Sequence, residues 1–178
     1  MKKTFLGLGG NIGDTCSILQ KALSLIKNLP KVSSFQASKF YRTSPVSDIP
    51  QADFVNAACC IDTGLPLKKL FWELQFIEKK LGKRKKAKNA ARIIDIDILL
   101  YGLDAYNDAE LSIPHPKWKE RLFVLRPMSD IVEKVLIPCP KNPKNSLPFS
   151  LVDALNSFSN PNRETVSELS FQTMISCL

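Results

Sequence analysis

The stretch RIIDIDILLYG (residues 92–102) carries an apolar, β-branched run from Ile93 to Leu100 that two aspartates interrupt. Its pattern is that of a buried strand. Alternate side chains of a strand share a face, so Asp95 and Asp97 point the same way, roughly 6.5–7 Å apart along the backbone. Ile94, Ile96 and Ile98 point the other way, into a core. Two charges inside an apolar strand are costly unless positive charge meets them. Hard oxygen ligands suit Mg²⁺, and two-metal phosphate chemistry uses carboxylates that reach ions about 3.5–4 Å apart. The alternative is an edge strand whose aspartates are simply hydrated. The strand alone leaves both readings open.

Outward from this strand, the chain reads as alternating strands and helices. Thr4–Leu8 is a short apolar strand that runs into a glycine-rich stretch, Gly7 to Asp14. The glycines match the dinucleotide and nucleotide-triphosphatase loops poorly, so a tight turn with an Asp14 or Thr15 helix cap is the reading they favour. Apolar spacing predicts helices over Thr15–Leu29 and Leu65–Leu81, the first stopped by Pro30 and the second by Gly82. Ser34–Arg42 and Phe54–Ile61 read as strands, with a proline-punctuated loop, Thr43–Pro50, between them. Asn56 is the polar interruption of its strand: a satisfied structural amide or a ligand reader. Gln75 and Glu78 share one side of the second helix, and Glu78 reads as a solvated or salt-bridged residue. The order β-α-β-β-α-β predicts a ferredoxin-like core, an α+β fold with a mixed sheet and helices packed on it.

Beyond the aspartate strand, His115 is the only histidine and lies between two prolines. Arg121–Pro127 reads as strand-like, Val135–Ile137 as a short strand and Ser150–Phe158 as a last helix. Pro138–Pro148 is a linker by composition, and Asn160–Leu178 shows no periodicity. The expected organisation is therefore a catalytic core over 1–138 and an extension over 139–178.

The chain has 178 residues and 44% hydrophobic content, enough for one globular core. No apolar run reaches the length of a membrane span, and the N-terminus does not read as a signal peptide. Five cysteines with no metal-ligand spacing fit a reducing cytoplasm. The net charge of +8 draws anions, and much of it is local: seven of the ten residues from Lys79 to Lys88 are Lys or Arg. Lys83–Ala91 is thus a basic loop feeding the aspartate strand, expected to order over a polyanion.

Four blocks in order make the chain resemble the 6-hydroxymethyl-7,8-dihydropterin pyrophosphokinase family of folate biosynthesis. They are FLGLGGNIGD (5–14), FYRTSPV (40–46) with DFVNAA (53–58), RIIDIDILLYG (92–102) and LSIPHPKWKERLFVLRPMSDI (111–131). The resemblance covers roughly residues 4–132. It implies transfer of pyrophosphate from the co-substrate ATP to the hydroxymethyl group of the dihydropterin, with release of AMP. It further implies that Asp95 and Asp97 hold two Mg²⁺ ions, and that Arg92 and His115 join them in catalysis. Phe54 and Phe123 would sandwich the pterin, Asn56 would read its edge, and Thr43, Pro45 and Val46 would border it. Gln75, Glu78, Lys83, Lys85, Arg92, Ile98, His115 and Arg121 would contact ATP.

The residue chemistry agrees with this. A flat ring stacks between aromatics, an amide offers donor and acceptor, and a migrating polyphosphate wants fixed positive charge. Two departures stand out. Lys83 and Lys85 occupy positions where the family commonly has Arg. The family's loop tryptophan is also missing from residues 89–92 (NAAR). Family members are often fused to other folate enzymes, so a fusion or association with one is expected here, and 139–178 would begin the linker. An RNA-binding module is the rival from another class, but its aromatic-rich strand motif is absent. A docking domain without activity is the third reading, and the presence of Asp95, Asp97 and His115 argues against it.

Overall fold

The computed structural model describes residues 1–46, 50–84, 90–139, 142–160 and 164–170. The elements in order are β1 (Lys2–Gly10), α1 (Thr15–Lys27), β2 (Val32–Ala37), β3 (Tyr41–Thr43), β4 (Phe54–Thr63), α2 (Leu67–Lys80) and β5 (Asp95–Tyr101). They continue as β6 (Tyr106–Asn107), β7 (Ser112–Ile113), a 3₁₀ turn at Trp118–Glu120, α3 (Leu122–Ser129), β8 (Lys134–Cys139), β9 (Asn142–Ser150), α4 (Leu151–Asn156) and β10 (Val166–Glu168).

The main sheet runs β10-β3-β4-β1-β5, with β2 also paired to β4. Taking β2 and β3 as one broken strand, this is the ferredoxin-like order. The sheet's pairings are antiparallel rather than mixed in direction. The crossovers through α1 and α2 each skip one strand, so neighbours run opposite ways.

The sheet separates two apolar clusters. Leu6, Leu8, Ala57, Cys59, Ile61, Ile94, Ile96 and Ile98 pack with α1 and α2 on one face. Phe5, Ala58, Cys60, Leu99 and Leu100 pack with α3, α4 and the β8–β9 hairpin on the other. The period-2 reading of β5 holds up to Ile98. Leu99 is then a bulge, since Ile98 pairs with Leu6 and Leu100 with Phe5. That extra residue lets Leu99 and Leu100 face the same cluster.

Several expectations change. Arg121–Pro127 is not a strand: Leu122–Ser129 is helical, with Val124, Leu125 and Met128 buried at helical spacing. A short run of consecutive apolar residues fits either state, and packing on the sheet selects the helix. The backbone amides of Val124 and Leu125 start it by donating to the Arg121 carbonyl. The Pro138–Pro148 linker is a hairpin, β8 paired with β9. Its prolines are tolerated because this small sheet has two strands, so each has a free edge. The expected division at 138/139 falls inside that hairpin, and α4 buries Leu151 on the second cluster. The aperiodic tail supplies β10, which pairs Val166 with Thr43 and Glu168 with Tyr41.

Candidate active site

The site lies on the face of the sheet where β5 presents Asp95 and Asp97. In the register, Asp95 sits opposite Gly9 and Asp97 opposite Gly7 on β1. Gly9 in turn sits opposite Asn56 on β4. Cross-strand neighbours share a face. Two side-chain-free positions therefore lie between the aspartates and β4, Gly9 facing Asn56 and Gly7 facing Ala58, and they form the floor of a cavity. The glycine block is thus strand rather than turn as far as Gly10, and its value is space. A Cβ on Gly9 would stand 2.4 Å from Asn56 Oδ1, and one on Gly10 would stand 2.3 Å from the Ile93 carbonyl oxygen. Asp14 caps α1, its carboxylate accepting from the Ser17 amide at 3.1 Å.

The floor opens into a cavity of about 500 Å³ that Phe54, Asn56, Thr43, Val46, Arg92, Asp95, Asp97, Arg121 and Phe123 line. Asn56 is buried and its Nδ2 donates to Thr43 Oγ1 at 2.7 Å, which fixes the amide. Phe123 comes from the first turn of α3, with the Arg121 guanidinium 5.5 Å from its ring centroid. A second cavity, of about 360 Å³, is lined by Phe71, Gln75, Glu78, Lys83, Ile96, Ile98, His115 and, again, Asp97. Asp97 thus borders both.

The charges around the aspartates are linked. Lys83 Nζ reaches Glu78 Oε2 and Asp95 Oδ1 at 2.8 Å each, and Arg92 pairs with the other oxygen of Asp95. Glu78 is not solvated: it is 1% exposed, and its Oε1 accepts from the Ile96 amide at 2.6 Å. Burial raises its pKa against the opposing pull of Lys83. Burial also works against the charge of Lys83, yet hydrogen bonds to Asp95 and Glu78 leave its pKa above the usual value. Asp97 is open to solvent in the cavities yet surrounded by protein atoms, and this burial raises its pKa despite His115 and Arg121. Burial lowers the pKa of His115, with Asp97 opposing. The Lys117 amide donates to His115 Nδ1 at 3.2 Å. In the neutral ring that leaves the proton on Nε2, a donor on a residue that lines the second cavity.

A family model described as 7,8-dihydro-6-hydroxymethylpterin-pyrophosphokinase matches residues 5–133. The chain belongs to this family. A pyrophosphokinase of this name from Bacillus subtilis is 37% identical over 131 residues, covering 74% of this chain and 78% of its own. The bifunctional protein FolKE of Lactococcus lactis subsp. cremoris is 31% identical over 191 residues, covering 94% of this chain. This chain spans 55% of that relative's length. Among solved structures, the Plasmodium falciparum HPPK-DHPS with pteroate aligns with a TM-score of 0.63 at 15% identity, over 87% of this chain and 44% of that one. At that identity the likeness shows the fold.

Of the residues that the family resemblance implied for the acceptor, Thr43, Val46, Phe54, Asn56 and Phe123 line the first cavity; Pro45 does not. Of those implied for the nucleotide, Gln75, Glu78, Lys83, Ile98 and His115 line the second, whereas Arg92 and Arg121 line the first. Lys85 lies outside the described residues, as does most of the basic loop, 85–89. Sequence reading passed over several positions. Gln51, Lys117, Glu120 and Glu164 line the first cavity. Asn11 ties its rim together: Oδ1 accepts from the Arg92 amide at 2.8 Å, and Nδ2 donates to Gln51 Oε1 and the Ala52 carbonyl, both at 3.0 Å. Asn11 directly follows the last residue of β1, so an amide after a strand end was its one signal.

Proposed function

We propose that this chain transfers the pyrophosphoryl group of ATP to the hydroxymethyl oxygen of 6-hydroxymethyl-7,8-dihydropterin, releasing AMP, as a step of folate biosynthesis. The observation that carries this reading is the position of Asp97 on the wall shared by two cavities. One cavity has two phenylalanines and a fixed amide, which suit a flat bicyclic acceptor. The other has the basic and amide groups that suit a nucleotide polyphosphate. The shared wall is where acceptor hydroxyl and triphosphate would meet.

In this reading a bond forms between the acceptor oxygen and the β-phosphorus, the bond to the bridging α,β-oxygen breaks, and the hydroxyl proton is lost. Phe54 and Phe123 hold the ring, and Asn56 reads its polar edge. Thr43 orients that amide, while Pro45 and Val46 belong to the bordering loop. His115, donating through Nε2, holds a phosphate oxygen, while Lys83, Arg92 and Arg121 supply positive charge, with Lys85 from the basic loop. Gln75, Glu78 and Ile98 border the nucleotide.

Asp95 and Asp97 fit a Mg²⁺ pair. Both are hard oxygen ligands on one strand face, and Mg²⁺ usually takes one or two carboxylates, filling its other positions with water and phosphate. When bound, such ions neutralise the charge that develops on the phosphates. The bifunctional relatives suggest fusion or association with another folate-pathway enzyme. The thiols of Cys59, Cys60 and Cys139 fit a cytoplasmic setting. No helix of the described residues is long and apolar enough to cross a membrane.

Mixing the chain with ATP, Mg²⁺ and the hydroxymethyldihydropterin is expected to release AMP one-for-one with pterin pyrophosphate, and a Mg²⁺ chelator is expected to stop it. Pterin-dependent ADP without AMP would sink the reading. A second expected outcome concerns Gly9→Ala. Its new methyl would displace the flexible tip of Asn56 and break the bond to Thr43, worth about 0.5–1.5 kcal/mol. The pterin KM should rise about two- to tenfold at that cost while the ATP KM stays put. Equal changes in both would mean that the sheet, not the amide, was disturbed.

A further inference from the structure

A strand that borders the first cavity is held from behind by a segment that the family match does not include. The family model stops at residue 133, and β10 runs from Val166 to Glu168. β3 lies between β10 and β4. On its β4 side Thr43 stands opposite Phe54 and Tyr41 opposite Asn56. On its β10 side Thr43 stands opposite Val166, Arg42 opposite Ser167 and Tyr41 opposite Glu168. β3 has only three residues, and a strand with few ladder bonds of its own opens readily. The pairing with the C-terminal segment therefore matters, and it continues past both ends of β3. The Ser44 amide donates to the Thr165 carbonyl at 3.1 Å, and the Thr165 amide donates to Ser44 Oγ at 2.9 Å. At the other end the Leu169 amide donates to the Phe40 carbonyl at 2.9 Å, and Lys39 pairs with Glu168 at 2.9 Å. The Asn160 side chain bonds both backbone groups of Glu164, at 2.7 and 2.8 Å, which fixes the turn into β10.

We propose that β10 is a strap that positions Thr43 and Ser44 at the acceptor cavity, with Ser167 the positioning residue at its centre. This rests on the function proposed above. Thr43 and Ser44 both line the first cavity. Thr43 Oγ1 accepts from Asn56 Nδ2, so the place of β3 decides how the buried amide is turned. Ser44 begins the loop that runs on to Pro45 and Val46. Bonded and non-bonded positions alternate along an antiparallel pair. The bonds between 44 and 165 and between 40 and 169 therefore put Arg42 and Ser167 in the bonded set, and Thr43 with Val166 in the closer, non-bonded set. Ser167 acts through its backbone, and its side chain is exposed. Opening of β10 would free β3 along the edge opposite Phe54 and Asn56, while the nucleotide cavity, which β10 does not touch, would keep its walls.

The test is Ser167→Pro in the full chain, which removes the backbone N–H at the centre of the ladder. Ser167→Ala keeps that N–H and is the matched control. Ile26→Val, which deletes one methylene from a fully buried position on α1, controls for a general loss of stability. Fluorescent 6-hydroxymethylpterin would be titrated into each protein with Mg²⁺ and a non-hydrolysable ATP analogue, alongside thermal melting and the KM values of turnover. Ser167→Pro is expected to weaken pterin binding about fivefold or more, the scale of one lost hydrogen bond, with the ATP KM within about twofold of the parent. Amide hydrogen exchange of residues 40–44 should quicken in the same variant. Ser167→Ala should behave as the parent, and Ile26→Val should melt lower with both substrates bound as before. Unchanged pterin affinity in Ser167→Pro overturns the proposal, and so does an equal loss for pterin and ATP, which would make β10 a support of the fold alone. The function reading is judged separately: a parent that binds the pterin yet releases no AMP defeats that reading while the titration still decides the strap. A parent that binds no pterin defeats both.

Discussion

Asp97→Asn is expected to cut Mg²⁺-dependent AMP release by at least about 10²–10³-fold, the scale of losing a single electrostatic group at a reacting centre. Asp95→Asn should do nearly the same. The expectation for the fold runs the other way. Asp97 is surrounded by protein and beside Asp95, and both facts oppose its ionised form. A carboxyl whose folded pKa is raised stabilises the protein below its unfolded pKa and loses that contribution as pH rises through the folded one. At neutral pH the amide removes a charge the fold disfavours, so the variant should melt at or slightly above the parent temperature. Asp95 differs in being paired with Lys83 and Arg92 in this structure. Its loss should therefore cost a little stability, within about 1 kcal/mol for partly exposed pairs. Thermal melting and AMP release measured on the same samples separate the two effects. Variants that melt normally and still turn over within about tenfold of the parent, only about 1.4 kcal/mol, would remove the aspartates from the site.

Glu78→Ala is expected to be the most destabilising of the substitutions considered, while Glu78→Gln is expected to be mild. The carboxylate joins α2 to β5 through the Ile96 amide and holds Lys83 beside Asp95. Alanine leaves the buried Ile96 N–H without its acceptor, a cost of about 1–3 kcal/mol. For a domain of this size that is a fall of about 2–12 °C, at roughly 2–4 °C per kcal/mol. Turnover should fall with it, because β5 between the two aspartates and Lys83 both lose their anchor. Glutamine keeps an acceptor for Ile96 and drops the charge. Burial raises the Glu78 pKa, so its stabilising contribution is complete below the ordinary carboxylate range and shrinks as pH rises through the folded value. The parent should therefore gain on the Gln variant as pH is lowered toward the ordinary carboxylate range. A parent advantage that grows with pH would show instead that the Glu78–Lys83 ion pair outweighs burial.

The site was only partly legible before the fold. Asp95 and Asp97 could be read because a charge inside a β-branched run has few explanations. Asn56 could be read because a polar residue in an apolar strand must find a partner. Glu78 was read as solvated or salt-bridged; the ion pair is there, with Lys83, but the burial was not foreseen, since helical spacing puts the residue on the flank of the apolar stripe. Its burial comes from Ile96 and Lys83, which lie on other elements. The role of Gly7 and Gly9 was hidden for the same reason: space above a neighbouring strand exists only once register is set. Phe123 was assigned to the acceptor site, but on a strand. It reaches the site from a helix, because its short apolar run had no periodicity long enough to decide.

By itself the sequence determined the ferredoxin-like core, because periods of two and of 3.6 residues are local, and β-α-β-β-α-β in this order has few ways to bury its apolar faces. It also determined that the aspartate pair would share a face. Only the tertiary structure decided the rest: that Asp97 borders two cavities, that Lys83 and Arg92 both reach Asp95, and that the proline-rich stretch forms a hairpin and the aperiodic tail an edge strand against the core. The reason is that these are contacts between residues far apart in the chain. Lys39 and Glu168 form an ion pair at 2.9 Å across 129 positions, and Glu164 lines the first cavity because β10 is bound to β3. Pairing of that kind depends on which edge is left open when the core closes, and no local pattern records it.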